Sequence, residues 1–226
     1  MTQPQTNQAR VITTNQQGVH EKLDELVVRY QRSTSRRPVS AHTQAAFDDV
    51  SEWLGNFSGD IILDACCGVG ESTAKLAARF PDARVIGVDK SEHRLAKHTH
   101  YSAPENNYRV IRADLNDFWR LVNQAEWQVA AHYLLYPNPY PKSTQVQKRW
   151  HASPAMPDIM AITPNIEVRS NWLTYLAEFA QAAAHYGLKG DINEVTHTEA
   201  FTPFERKYQA SGQACWQLSL QSDESE

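Results

Sequence analysis

Residues 61–73 read IILDACCGVGEST, a short apolar run that ends in a glycine-containing turn and continues into a helix-like segment. An uninterrupted apolar run of this length is typical of a strand that is buried on both faces of a sheet. Glycines at 68 and 70 permit a tight turn, and they let a ligand approach the backbone without interference from a Cβ atom. The stretch therefore predicts a strand, a ligand-binding turn and a helix in immediate succession.

Similar apolar runs recur along the chain, and helix-like segments separate them. We expect strands at 61–67, 83–89, 107–114, 127–136 and 166–170, two closing strands at 192–198 and 213–220, and further helices at 20–32, 41–54 and 171–187. Strands that alternate with helices are typical of βαβ units and a parallel sheet. The pattern predicts an α/β fold with a doubly wound, mostly parallel sheet, and the two closing strands suggest an antiparallel hairpin at its edge.

The chain of 226 residues has room for one medium-sized domain with short appendages. We expect four parts along it: a disordered lead-in at 1–17, a helical N-terminal extension at 18–58, the main domain at 59–221 and an acidic tail at 222–226.

Composition narrows the class of protein. No apolar stretch approaches the roughly 20 residues of a membrane span, we expect no signal peptide before the fold, and three cysteines give no disulfide framework. No Cys/His spacing indicates a metal site, and a net charge of −4 argues against a protein that coats nucleic acid by charge alone. We expect a cytoplasmic protein without membrane contact, as a monomer or homodimer.

Acidic residues stand at the ends of the first three predicted strands. Asp89 follows Gly70 by 19 residues, where a carboxylate can accept from both hydroxyls of a ribose, and Asp114 could accept from an adenine amino group. Asp64 precedes the glycines, which suits the ammonium of a methionine moiety better than a phosphate. A dinucleotide fingerprint would need glycine where Thr73 stands, so S-adenosylmethionine is the predicted cofactor. The candidate cofactor-binding residues are Asp64, Cys66, Gly68, Gly70, Asp89, Lys90, Asp114 and Leu115.

The stretch YPNPYPK at 136–142 ends the fourth predicted strand abruptly. Three prolines in five residues exclude a helix or a central strand, because each lacks an N–H and has a restricted φ. We interpret this stretch as a rigid pocket wall that holds Asn138 and Tyr140 in front of a methyl acceptor.

Together these motifs resemble the bacterial tRNA (guanine-N7)-methyltransferases, a family of class I methyltransferases. The resemblance covers about residues 60–220 and rests on LDACCGVG, GVD at 87–89, YPNPYPK, SNW at 170–172 and TPFE at 202–205. It implies a Rossmann-like, seven-stranded sheet with an antiparallel edge hairpin. It also implies guanine N7 in tRNA as the acceptor, with Thr202 and Glu205 beside Asn138 and Tyr140 as the catalytic set. The candidate nucleic-acid contacts are Arg36, Arg37, Lys142, Lys148, Arg149, Arg206 and Lys207.

The chain departs from that family where two aspartates are replaced by Asn138 and Asn171. A carboxylate is ionised at neutral pH and accepts strong hydrogen bonds, whereas an amide is neutral and also donates. Two alternatives therefore stay open beside tRNA guanine: a methyltransferase for another acceptor, such as an amino group or small planar molecule, and a non-catalytic protein that binds RNA or the cofactor.

Overall fold

A computed structural model gives the fold for residues 9–98, 107–197 and 199–222. Residues 1–8 of the predicted lead-in and 223–226 of the predicted tail lie outside the described residues. Residues 9–17, which were also expected to be disordered, are instead held by hydrogen bonds to distant parts of the chain, such as Thr14 Oγ1 to the Pro141 carbonyl at 2.6 Å. The remaining domain boundaries stay predictions.

The described residues form a seven-stranded sheet flanked by helices, which confirms the predicted fold class. The strands are β1 (Ile61–Ala65), β2 (Arg84–Asp89), β3 (Tyr108–Arg112), β4 (Val129–Leu135), β5 (Ile166–Ser170), β6 (Leu188–Glu194) and β7 (Trp216–Ser222). The helices are α1 (Leu23–Gln31), α2 (Ala41–Leu54), α3 (Glu71–Arg79), α4 (Glu92–Leu95), α5 (Leu115–Gln124), α6 (Met156–Ile162), α7 (Leu173–Ala184) and α8 (Pro203–Ala210).

The strand order is β3-β2-β1-β4-β5-β7-β6, and the first five strands of this order are parallel. Strand β7 pairs antiparallel with both β5 and β6, as expected for the edge hairpin. The chain reverses its direction of winding between β1 and β4. In open α/β sheets, ligands bind outside the carboxyl ends of the strands at this kind of switch point.

Alternate residues of β1 pack on opposite faces of the sheet. Leu63 and Ala65 join a cluster with α1, α2, α5, α6 and α7, whereas Ile62 joins a smaller cluster that contains Leu76 and Ala77 of α3. Every residue of β1 is buried, which is why the strand is apolar apart from Asp64.

The structure differs from the sequence prediction mainly after β5. Strand β6 begins at Leu188 rather than at 192, and Gly190 lies inside it. A Cβ at Gly190 would collide with the backbone of Ser219 in β7, so glycine permits the close approach of the two strands. Helix α8 was not predicted; Pro203 at its first position and the capping side chain of Thr202 begin it.

No helix in the part of the chain that the structure describes is long and apolar enough to cross a membrane.

Gly87 of β2 allows α3 to pack closely on the sheet, because a Cβ at this position would collide with the side chain of Thr73. We expect Gly87→Ala to lower the free energy of unfolding by about 1 to 3 kcal/mol, the usual cost of overpacking a core. Urea unfolding measures this cost. Thr73→Ala should cost less in the Gly87→Ala background than in the wild type, since it removes the collision; equal costs in both backgrounds would contradict the contact.

Candidate active site

A cavity of about 420 Å³ opens at the carboxyl ends of the parallel strands. Each of the four strands β1 to β4 contributes a residue at or just after its end: Cys66, Asp89, Asp114 and Tyr136. The topology therefore brings together side chains that are up to 70 residues apart in the sequence.

The turn between β1 and α3 is built from left-handed backbone. Cys66, Gly68 and Gly70 have φ angles of 62°, 62° and 78°. A Cβ at Gly68 would meet no atom within 4 Å, so the space beside this glycine is open to a ligand. The Gly68 N–H donates to Asp89 Oδ2 at 3.0 Å, and this bond joins the turn to the end of β2.

Asp64 lies beneath this turn and does not line the cavity. Its Oδ2 accepts from the hydroxyls of Ser72 and Thr73 at 2.7 and 2.6 Å, so it anchors the first turn of α3. Its Oδ1 is buried and has no hydrogen-bond partner among the described residues. Burial, opposed only in part by the two hydroxyls, raises the pKa of Asp64 to about 6. The expected direct contact with a methionine ammonium stays a prediction.

Asp89 and Asp114 both reach the cavity. Asp89 accepts from the N–H of Ser91 at 2.8 Å and is approached by Arg94 Nη1 at 3.4 Å. Asp114 is the N-cap of α5, where its Oδ1 accepts from Asn116 N–H at 3.0 Å. Each carboxylate thus accepts a hydrogen bond from a nearby backbone N–H and still faces the cavity. Lys90 and Leu115, which follow them, also line it.

Residues 136–140 of the proline-rich stretch also line the cavity, and we call them the acceptor wall after their predicted role. Tyr136 and Tyr140 have positive φ angles of 55° and 45°, which are uncommon for residues with a side chain. Asn138 is exposed, and its Oδ1 accepts from the Tyr140 N–H at 3.3 Å. The Lys148 ammonium lies 5.8 Å from the centre of the Tyr140 ring.

Thr202 and Glu205 are buried and do not line the cavity, contrary to their predicted place beside the acceptor. The Thr202 hydroxyl accepts from the Glu205 N–H and caps α8. Glu205 accepts from the Tyr136 hydroxyl at 2.9 Å and from Arg169 Nη1 at 3.0 Å. Glu205 therefore reaches the cavity only through Tyr136, whose pKa is raised well above its ordinary value by burial first, with contributions from Cys215 and Glu205.

Outside the proline-rich stretch, the cavity is also lined by residues to which the sequence analysis assigned no role: Arg94, Asn116, Trp150, Phe204 and Tyr208. The Phe204 and Tyr208 rings lie 6.4 Å apart on one face of α8. Their spacing of four residues is a helical aromatic pair, and it would have been informative if α8 itself had been predicted.

The predicted nucleic-acid residues have different environments. Arg36, Arg37, Lys142, Lys148, Arg206 and Lys207 are exposed. Arg206 pairs with Glu71, and Arg37 lies 3.7 Å from Asp114. The assignment of Arg149 to nucleic-acid binding is wrong, because its side chain is completely buried and pairs with Glu178.

The cavity fits S-adenosylmethionine at its carboxylate end. Two carboxylates at the ends of adjacent strands can accept from ribose hydroxyls and from an adenine amino group, and the open space beside Gly68 admits the ligand to the turn. A buried, incompletely paired carboxylate at Asp64 gives this end a negative potential that favours a cationic ligand.

Comparison with known proteins identifies the class. A family model described as "Putative methyltransferase" matches residues 58–218. The solved structure of a variant 16S rRNA (adenine(1408)-N(1))-methyltransferase with cosubstrate SAM, from Catenulisporales acidiphilia, has a TM-score of 0.55 at 16% identity; the match covers 83% of this chain and 98% of that one. The chain therefore has the class I, Rossmann-like methyltransferase fold, and S-adenosylmethionine is the cofactor that its family and its cavity indicate.

The chain belongs to this putative methyltransferase family, as a divergent member of the group that contains tRNA (guanine-N7)-methyltransferases. A tRNA (guanine-N(7)-)-methyltransferase of Nocardioides sp. is 28% identical over 169 residues, which are 72% of this chain and 67% of that protein. A trans-aconitate 2-methyltransferase of Deinococcus radiodurans is 43% identical over 56 residues, or 25% of this chain and 21% of that protein. The matches span 21% to 36% of the length of the first curated relatives.

Replacing Asp64 tests the effect of its buried charge. Its pKa is about 6 in the folded protein and near 3.8 in the unfolded chain, so its protonated form favours folding. The protonated carboxyl stabilises the fold by about 2 to 3 kcal/mol below pH 4, and this stabilisation is lost as the pH rises through 6. Asp64→Asn lacks it. Urea unfolding between pH 4 and 7 should show the difference in stability between variant and wild type shifting in favour of the variant; a pH-independent difference would contradict the assignment.

Replacing Asp89 tests the cofactor end. Asp89→Asn removes a charged acceptor, and the affinity for S-adenosylmethionine should fall by roughly 10-fold to 100-fold. Isothermal titration calorimetry measures the change. Glu92→Gln, at an exposed carboxylate three residues further along the chain, is the matched control and should leave the affinity unchanged. An equal loss in both variants would indicate a general charge effect.

Proposed function

We propose that this methyltransferase transfers a methyl group to N7 of a guanine in tRNA. The observation that carries the proposal is the chemistry of the acceptor end of the cavity. The described residues that line it, Tyr136, Asn138, Tyr140, Lys148, Trp150, Phe204 and Tyr208, include aromatic rings, one amide and one ammonium. Guanine N7 has a lone pair and no proton, so its methylation needs no general base.

The aromatic rings give the acceptor end two functions. A planar base can stack on Tyr140 or on the Phe204 and Tyr208 pair, since base–aromatic stacking contributes about 1 to 3 kcal/mol per base. Methylation at N7 leaves a positive charge on the base, and the faces of aromatic rings attract cations. The same rings therefore bind the base and stabilise its methylated form.

Asn138 supplies the polar contact. Its Oδ1 can accept from guanine N1–H while its amide Nδ2 donates to O6, a pair of groups that guanine presents side by side. The carboxylate found at this position in the family would accept from N1–H and the 2-amino group instead. The amide thus supports recognition of guanine with weaker, neutral hydrogen bonds.

The bound cofactor supplies an electrophilic methyl group for direct displacement. The chain contributes by holding the acceptor nitrogen in line with that group, and most of the rate enhancement then comes from proximity and orientation. Lys142 and Lys148 are exposed near the acceptor wall, and we expect them to contact phosphates of the RNA. A cytoplasmic location and a monomeric or homodimeric state stay predictions.

The decisive experiment incubates the purified protein with methyl-labelled cofactor, total small RNA and a metabolite extract. Mass spectrometry of the nuclease digest should find the label in 7-methylguanosine from tRNA. Label in an exocyclic amino group or a small planar molecule would replace guanine N7 with that acceptor. No transfer to any fraction would favour a non-catalytic binding protein.

Variants at Asn138 test its contact with the base. Asn138→Leu keeps the approximate size but removes the two hydrogen bonds to the base and the one from the Tyr140 N–H, and kcat/KM for tRNA should fall by roughly 10-fold to 100-fold while cofactor affinity is unchanged. Asn138→Asp restores a carboxylate that pairs with guanine and should retain or raise activity. Equal, full activity in both variants would show that Asn138 does not contact the base.

A further inference from the structure

The buried guanidinium of Arg149 donates hydrogen bonds to backbone carbonyls of the acceptor wall and of the loop that follows it. Its Nε and Nη2 donate to the Tyr140 carbonyl at 3.1 and 3.0 Å, and Nη2 also donates to the Lys142 carbonyl at 3.2 Å. The guanidinium lies 4.9 Å from the centre of the Trp172 ring, which fixes its plane. All three donor nitrogens are engaged, because Nη1 binds the carboxylate of Glu178 at 2.9 and 2.7 Å.

Tyr140 is the residue that most needs such support. Its φ of 45° is unfavourable for a residue with a side chain, and a strained conformation persists only where the surroundings determine it. Two neighbours do so: Asn138 Oδ1 holds the N–H of Tyr140, and Arg149 holds its carbonyl. Tyr140 lines the cavity, and because these two contacts hold its backbone, they limit the directions that its side chain can take.

Glu178 of α7 connects this arrangement to the N-terminal segment, residues 14–20. Its Oε1 accepts from Gln16 Nε2 at 2.6 Å and from the His20 N–H at 2.9 Å, and its Oε2 is 2.8 Å from His151 Nε2. The same segment contacts the loop that follows the acceptor wall, where Asn15 exchanges two hydrogen bonds with Ser143. The buried Arg149–Glu178 ion pair thus holds the acceptor wall, and the N-terminal segment holds the loop that follows it.

We propose that Arg149 is a positioning residue for the methyl acceptor: it fixes Tyr140, and Glu178 with the N-terminal segment fixes Arg149. The inference rests on the proposed function only in placing the acceptor beside Tyr140. It explains why arginine stands here, since a fork of donors can bind two carbonyls and a carboxylate at once. A lysine has one nitrogen and cannot span these positions.

Arg149→Lys retains the charge and removes the fork. Hydrogen exchange measured by mass spectrometry on the cofactor-bound protein should show the amides of residues 138–143 exchanging at least about 10-fold faster, because their local opening becomes easier. The affinity for S-adenosylmethionine should stay within about twofold of the wild-type value, since hydrogen bonds at the other end of the cavity are untouched. Unchanged exchange at 138–143, or equally faster exchange throughout the domain, would overturn the proposal.

The kinetic test uses the acceptor identified by mass spectrometry. Arg149→Lys should lower kcat/KM for that acceptor by roughly 10-fold to 100-fold, as expected for a misplaced binding group. Tyr140→Gly removes both the strain and the ring, so adding Arg149→Lys to it should have little further effect. Additive losses in the double variant would show that Arg149 does not act through Tyr140.

Two further variants keep the test decisive. Arg109→Lys, at an arginine that stacks on Trp53 away from the cavity, is the matched control and should change neither exchange at 138–143 nor kcat/KM. If Arg149→Lys does not fold, Asn15→Ala removes an exposed contact to the same loop and should still accelerate exchange there. If the wild type transfers no methyl group to tRNA guanine, the proposed function fails, and the exchange experiment still decides the role of Arg149.

Discussion

The left-handed turn that follows β1 is the constraint on which the cofactor site depends. The chain passes from β1 to α3 through residues 66–70, and three of these five have positive φ angles, which glycine adopts without a steric penalty. Asp64 holds the helical side of this turn through Ser72 and Thr73, and Asp89 holds its tip through Gly68. One buried carboxylate therefore orients α3, and the other fixes the distance between the turn and β2. The cofactor end of the cavity is the space that these contacts leave open.

The acceptor end is constrained in a different way. Its wall carries two tyrosines with positive φ angles, so the local sequence alone does not favour the observed conformation. Long-range contacts hold it: Glu205 binds the hydroxyl of Tyr136, and Arg149 binds the carbonyl of Tyr140. Both charged groups are buried and paired, and they act on the cavity through a tyrosine rather than by reaching it. Rigid positioning of this kind suits a reaction whose catalysis is mainly orientation.

Much of the fold could be predicted from the sequence. Strands β1 to β5 and the long helices were found within a few residues, because strands buried on both faces give continuous apolar runs and amphipathic helices give a clear period. The closing strands were shifted, since β6 is exposed along most of its length, and α8 was missed although Thr202 and Pro203 are typical residues for the start of a helix. Cys66, a residue with a side chain, also adopts the left-handed conformation in the turn that follows β1.

The sequence by itself determined the class of fold, the position of the cofactor turn and the acids that end β2 and β3, because these features follow from local patterns and from the order of strands in a βαβ sheet. Only the tertiary structure decided which charged residues face the cavity. Arg149 and Glu205 are charged residues of the kind usually found at the surface or in a site, yet both are buried. Each is paired with an oppositely charged residue on a distant segment of the chain. Burial of a charge depends on such distant partners, and no local pattern reports them.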